Sequence, residues 1–244
     1  MGIVEGKIAV KAVLDSKYRK VNKVILDKDK HNSDVAFIVQ QARKKNIPIK
    51  LYDSTSIDIL ASGKTHGGIL ADVTDRKTQT ITACLKNEKP FVALLEGIED
   101  SYNLGYIFGT LYAFGCDAVI MKEHYVDYDD GNLLKSSAGA SELLPIIYSD
   151  DLGSCLTILR NKSIKVISMY RGNNATSLYD TDLHSKGIVV AIGGPLRGLS
   201  NDVLNNTDEY VYIPYANDFR NALNAASATS VVASEVFRQR SGGK

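Results

Sequence analysis

Five short apolar runs recur at helix-length intervals through the later part of the chain: Phe91 to Leu95 (FVALL), Ala118 to Met121 (AVIM), Lys165 to Met169 (KVISM), Gly187 to Ile192 (GIVVAI) and Tyr210 to Ile213 (YVYI). Strands this uniformly apolar have no polar face to turn towards water, so helices must cover both sides of the sheet they form. The pattern therefore predicts a mostly parallel α/β sheet. A glycine-bearing turn and a helical stretch through Phe114 follow the first run, and an Ala- and Ser-rich helical segment is predicted from Asn217 to Arg240.

The front of the chain alternates differently. Lys7 to Leu14 repeats apolar residues at helical spacing, and Val21 to Leu26 reads as a β-branched strand. Asp34 to Lys45 forms an amphipathic helix with Val35, Ile38, Val39 and Ala42 on one face, while Ile47 to Tyr52 and Gly68 to Val73 supply two more strands. This is a small α/β sandwich. The polar stretch Thr74 to Thr82 (TDRKTQTIT) offers little to a core, which divides the chain into a domain over 1–77, a linker over 78–88 and a second domain over 89–244. The formal charge of +1 divides there as well, into +6 for residues 1–77 and −5 for 78–244. A globally basic nucleic-acid binder is excluded, but a basic domain joined to an acidic one is not.

Other classes fall away quickly. With 44% hydrophobic residues the chain is not disordered, and no apolar run approaches the roughly 20 residues that cross a bilayer. The N-terminal residues lack a signal-peptide layout, so a cytoplasmic protein with no membrane partner is expected. Cys84, Cys116 and Cys155 read as reduced, buried thiols. His31, His66, His124 and His184 are too scattered for metal ligation, and no metal is expected.

Two loops follow predicted strands, where helix N-termini and free backbone groups converge on ligands: Glu99 to Gly105 (EDSYNLG) and Gly193 to Ser200 (GGPLRGLS). The second has GGxxxG spacing, neither the GxGxxG of dinucleotide binders nor a P-loop, and on glycine content alone it is a tight turn. A nucleotide-dependent oxidoreductase lacks its fingerprint here.

Read together and in order, the segments resemble the SpoU (TrmH-like) family of RNA ribose methyltransferases. The resemblance is carried by LLEGIEDSYNLGYIFGTLYAFG (Leu94 to Gly115), KSSAGASELLPI (Lys135 to Ile146), VVAIGGPLRGLS (Val189 to Ser200) and YIPYANDFRNALNAASA (Tyr212 to Ala228), with Arg-Gln-Arg at Arg238 to Arg240. Gly6 to Leu14, Ile47 to Tyr52 and HGGILADV (His66 to Val73) are similar to the small substrate-binding domain of the large-subunit ribosomal RNA branch. The resemblance implies a C-terminal domain tied in a trefoil knot that holds S-adenosylmethionine, a homodimer through that domain, and RNA, ribosomal in this branch, as partner.

Carried over by position, the cofactor contacts fall at Gly193, Ile213 and Leu223, and the catalytic polar set at Asn103 and Asn224. Taken alone, both asparagines would read as helix caps. Three expected polar positions are changed: the motif-one Arg is Gly109, the motif-two Glu is Pro195 and the motif-three Ser is Ala222. A catalytically impaired RNA-binding homologue is therefore the alternative to an active enzyme, and Arg197 or Arg220 is placed to compensate. Lys17, Arg19, Lys20, Arg43, Lys44 and Lys45 are the candidate RNA-binding residues, since phosphate contacts orient RNA without reading sequence. Without the resemblance they would read as solvated helix and loop faces.

Overall fold

The computed structural model describes residues 2–122, 130–219 and 221–242. In chain order its elements begin β1 (Gly2–Glu5), α1 (Lys7–Asp15), β2 (Val21–Asp27), α2 (Ser33–Lys44), β3 (Ile49–Tyr52), α3 (Ser54–Leu60), β4 (Ile69–Val73), α4 (Ile81–Cys84), β5 (Phe91–Glu96), α5 (Ser101–Ala113) and β6 (Ala118–Met121). They continue with α6 (Asp130–Ser136), β7 (Ile146–Tyr148), α7 (Leu152–Arg160), β8 (Lys165–Met169), β9 (Thr176–Ser177), β10 (Ile188–Gly193), α8 (Asn201–Leu204), β11 (Glu209–Tyr212) and α9 (Ala225–Arg240). Two compact units result, Met1–Lys77 with Asp129–Leu143, and Thr78–Tyr128 with Leu144–Lys244.

The first unit is a mixed sheet in the order β1-β4-β2-β3, with β4 antiparallel to both neighbours and β2 parallel to β3. Val10, Val13 and Leu14 of α1 and Ile38 and Ala42 of α2 close one face over Val24, Leu26 and Ala71, while Ile57 of α3 meets Ile25 and Leu70 on the other. Local chemistry sets the helix ends. Asn32 accepts the Val35 N–H at 3.0 Å to start α2, and Asn46, at φ 55°, turns the chain after it.

Residues 130–143 correct the domain boundaries read from the sequence, which gave this segment to the second domain. Leu134 joins the first unit's core, an exchange worth roughly 1.5–3 kcal/mol for such a side chain. Gly139, at φ 85°, lies so near α1 that a Cβ there would stand 2.5 Å from that of Ala12. Glu142, fully buried, meets the Arg19 guanidinium at 2.6 Å and lies 3.7 Å from that of Arg76, which also bonds the Ser141 carbonyl. The expected linker over 78–88 also needs correction. Gln79 N–H donates to the Ile146 carbonyl, Tyr148 N–H donates to Thr78 Oγ1, and Ile81 and Cys84 are buried in the second unit's core.

The second unit holds a parallel sheet in the order β7-β6-β5-β10-β8-β11-β9. Every residue of β5 and β6 is buried, as strands covered on both faces require. Leu152, Leu156 and Leu159 of α7 pack with Val92, Leu94 and Ile120. Helix α9 packs against α5 and β10. The Arg-Gln-Arg end of α9 is structural: Gln239 exchanges hydrogen bonds with Thr181 and Leu183, and Arg240 donates to the carbonyls of Lys89 and Leu183 at 2.7 and 3.1 Å. The predicted helix over Asn217 to Arg240 begins only at Ala225, and the described residues before it form a loop. Cys84, Cys116 and Cys155 are buried free thiols, and burial pushes Cys116 up to about 12.

Candidate functional site

From β5 the chain steps outward through β6 and β7, whereas β10 and β8 lie on its other side. The carboxyl ends of β5 and β10 thus flank the point where the winding reverses, the usual crevice of an open α/β sheet. There the two glycine-bearing loops meet. Gly194 N–H donates to the Glu96 carbonyl at 2.7 Å, and a Cβ on Gly194 would stand 1.7 Å from the Gly97 oxygen. A Cβ on Gly193 would stand 2.5 Å from the Gly198 carbonyl carbon, because Gly198, at φ 63°, folds back and bonds the Gly194 carbonyl at 3.1 Å. The GGxxxG spacing is therefore a tight turn whose tightness has a purpose: it lets two loops cross with no side chain between them.

Glu96 ties this crossing, and sequence reasoning missed it. One carboxylate oxygen accepts the Ser200 N–H at 2.8 Å and the other lies 3.4 Å from Lys122 Nζ. Its signal was available, a buried acid closing an otherwise apolar strand.

Beside the crossing lies a cavity of about 300 Å³, at the lower end of the range of roughly 300–1,000 Å³ for small-molecule sites. Gly193 after β10, Ile213 after β11 and Leu223 before α9 all line it, so the three predicted cofactor contacts, distant in sequence, come together. Ile213 lies beyond the last ladder pair, Tyr212 with Ser177, which leaves its backbone groups outside the sheet. Arg171, not foreseen from the sequence, fastens the loop over this cavity. Its guanidinium donates to the carbonyls of Phe219 at 3.0 Å and Asn221 at 3.4 Å and lies 4.7 Å from the Tyr215 ring centroid, while Tyr215 Oη accepts the Leu223 N–H at 3.0 Å.

The two asparagines are placed differently. Asn224 does cap a helix, accepting the Ser227 N–H at 2.8 Å, and it lies between two residues that line the cavity, Leu223 and Ala225. Asn103 does not. Asp100 caps α5 by accepting the Asn103 N–H at 2.7 Å, and Asn103, half-buried in the first turn, lines neither this cavity nor its neighbour. Ala222 is in the cavity wall, Pro195 is exposed in the crossing loop and Gly109 is half-buried in α5. Arg220 and His124 lie outside the described residues.

In the first unit, Lys17, Lys20, Arg43 and Lys44 are exposed, and Lys45, also exposed, pairs with Asp15 at 3.1 Å. That pair joins the ends of α1 and α2, which brings these cations to one end of the unit. Arg19 is the correction: its guanidinium is buried in an ion pair with Glu142, so it is spent inside the unit and not presented at the surface. His66 is also buried, its Nδ1 accepting the Gly68 N–H and its Nε2 3.1 Å from Asp58.

Comparison with known proteins places this geometry. The chain is 25% identical to a 23S rRNA (guanosine-2′-O-)-methyltransferase, RlmB, of Xanthomonas campestris, over 98% of this chain and 97% of that protein. It is 27% identical to a Staphylococcus aureus protein assigned to the TrmH family of tRNA/rRNA methyltransferases, over 98% and 96%. Among solved structures, the SpoU methyltransferase AviRb of Streptomyces viridochromogenes, crystallised with its cofactor AdoMet, shares the fold with a TM-score of 0.83 at 20% identity, covering 99% of this chain and 91% of that one. The described α/β architecture is thus that of these methyltransferases. The family described as RNA 2′-O ribose methyltransferase substrate binding matches residues 3–79. The SpoU rRNA Methylase family matches residues 90–234, more than half of the chain and all of the crossing loops and cavity, and the chain belongs to that family.

Proposed function

We propose that this protein transfers a methyl group from S-adenosylmethionine to a ribose 2′-hydroxyl of RNA, ribosomal RNA being the substrate. The observation that carries the reading is the convergence of Gly193, Ile213 and Leu223 on one cavity at the carboxyl ends of the sheet. The residues present fit such a cofactor: apolar and aromatic walls from Met169, Tyr170, Ile192 and Tyr215 suit a purine, and backbone groups beyond the ladder suit its polar edge. When bound, the cofactor supplies an electrophilic methyl on a sulfonium sulfur. The chain's residues hold the walls, with Arg171 and Tyr215 securing the segment that carries Ala222 and Leu223 into them.

Lys17, Lys20, Arg43, Lys44 and Lys45 are proposed to meet RNA phosphates, with Asn224, between the cavity residues Leu223 and Ala225, near the reacting groups; Asn103, which lines neither cavity, is left to the first turn of α5. The knot and the cytoplasmic setting are proposed on the resemblance; among the described residues no helix is long and apolar enough to cross a membrane. A homodimer through the second domain is proposed on the exposed aromatic side chains of α5 and α9, Tyr102, Tyr106, Tyr112 and Phe237. A second reading, an RNA-binding homologue without transfer, draws on Gly109, Pro195 and Ala222 and on the occupation of Asn224 as a cap.

Calorimetric titration with S-adenosylmethionine tests the cavity. Saturable heat is expected in the wild type and its loss in Gly193→Val, whose side chain has no room at the crossing. No heat at millimolar cofactor would end the methyltransferase reading.

A further inference from the structure

A second cavity, also of about 300 Å³, adjoins the first, and Arg197 and Gly198 belong to the walls of both. Its charges are unevenly satisfied. Glu96 is paired with Lys122 and accepts the Ser200 N–H. Arg197 and Glu99 also line it, both exposed, and neither has an ion pair among the described residues. The Ser200 hydroxyl is buried in the same wall without a hydrogen-bond partner among the described residues, a deficit that a ligand oxygen would relieve.

A free guanidinium, a free carboxylate and an orphan hydroxyl around one small cavity are complementary to a single chemical unit. A nucleotide offers a phosphate to the first, a hydroxyl hydrogen to the second and further ribose oxygens to the third. We propose that this second cavity receives the acceptor ribonucleotide of single-stranded RNA, with Arg197 holding its phosphate and Glu99 accepting a hydrogen bond from its ribose. The inference rests on the methyltransferase reading and extends it. Arg197 stands astride both cavities, so a phosphate on its guanidinium brings the attached ribose to the cofactor's edge. Arg197 and Glu99 are positioning residues here. The separation of their charges orients the nucleotide, because Glu99 repels the phosphate that Arg197 attracts.

The test is the salt dependence of binding to a mixed-sequence single-stranded RNA oligonucleotide, measured beside S-adenosylmethionine calorimetry on the same full-length protein. Loss of one phosphate contact lowers the slope of log K against log salt by about 0.7 on a single strand. Arg197→Ala should show that decrease, and, because Arg197 also borders the first cavity, any loss of cofactor affinity should be smaller than the loss for RNA. Arg197→Lys should restore most of the slope, and Glu99→Gln should leave it in place. An unchanged slope in Arg197→Ala overturns the proposal, as does a loss of cofactor affinity matching the loss for RNA. The two readings fail separately. A wild type that binds no cofactor ends the methyltransferase reading alone, whereas a wild type that binds cofactor beside an Arg197→Ala variant with unaltered slope ends the acceptor-cavity inference alone.

Discussion

Gly194→Ala tests the crossing of the two loops. The added Cβ would stand 1.7 Å from the Gly97 oxygen and 2.4 Å from its carbon, both backbone atoms that cannot rotate away. Relief to even about 3 Å requires the loops to part by more than 1 Å, which breaks the 2.7 Å bond from Gly194 N–H to the Glu96 carbonyl. Overpacking costs about 1–3 kcal/mol and a lost hydrogen bond about 1, so the variant should lose about 2–4 kcal/mol. At this chain length that is a fall in Tm of roughly 4–16 °C. Because Gly193 and Gly194 line the cofactor cavity, S-adenosylmethionine affinity should fall at least about tenfold, or 1.4 kcal/mol. Gly97→Ala is the control. Its φ of 70° costs about 1–2 kcal/mol for a non-glycine residue, but its nearest neighbours are 3.9 Å away and it does not line that cavity, so cofactor affinity should change less than about threefold. Differential scanning fluorimetry and calorimetry read both quantities. If Gly194→Ala melted and bound like the wild type, or if the two variants were indistinguishable, the crossing would not be what shapes the cavity.

Three further outcomes follow from the same geometry. Glu142→Ala strands the buried Arg19 guanidinium and should cost about 3–5 kcal/mol in urea unfolding, whereas Lys45→Ala, which removes an exposed ion pair, should cost under about 1 kcal/mol. Asn224→Ala should lose about 1 kcal/mol through the α9 cap, while Asn224→Asp keeps the cap; if Asn224 also serves the reaction through its amide, methyl transfer in Asn224→Asp should fall with stability unchanged. Burial alone would raise the Glu5 carboxyl, but the Lys135 ammonium at 2.5 Å and the Gly63 N–H outweigh it and hold it below the usual glutamate range. Its contribution to stability is therefore full above about pH 4.3 and is lost as pH falls below that, so the stability gap between wild type and Glu5→Gln should narrow through that window.

The strands were legible wherever burial on both faces left a mostly apolar run, as in Ala118–Met121 and Lys165–Met169, whose ends match the sequence reading. Short elements stabilised by their neighbours were not. Strand β1 (GIVE), the three-residue β7 and the two-residue β9 carry too little pattern to register, and α3 (STSIDIL) reads as a polar turn until Ile57 is seen in the core. That Gly193, Ile213 and Leu223 belong together was legible through ordered motifs, and they do line one cavity. Glu96 and Arg171 were not, because their roles depend on which loops the sheet order brings together. The charge division at residue 77 was real as a count and incomplete as anatomy. Arg19 belongs to a buried ion pair whose acid, Glu142, lies in a segment that the sequence assigned to the other domain.

Methyl transfer itself can be measured directly. The full-length protein is incubated with methyl-labelled S-adenosylmethionine and total ribosomal RNA, and the product is digested with alkali. Label should be retained in RNA at an alkali-resistant linkage, since a methylated 2′-oxygen cannot attack its own phosphate. Saturable binding of cofactor and of RNA with no label transferred would contradict it and would leave the chain as a scaffold that binds without reacting.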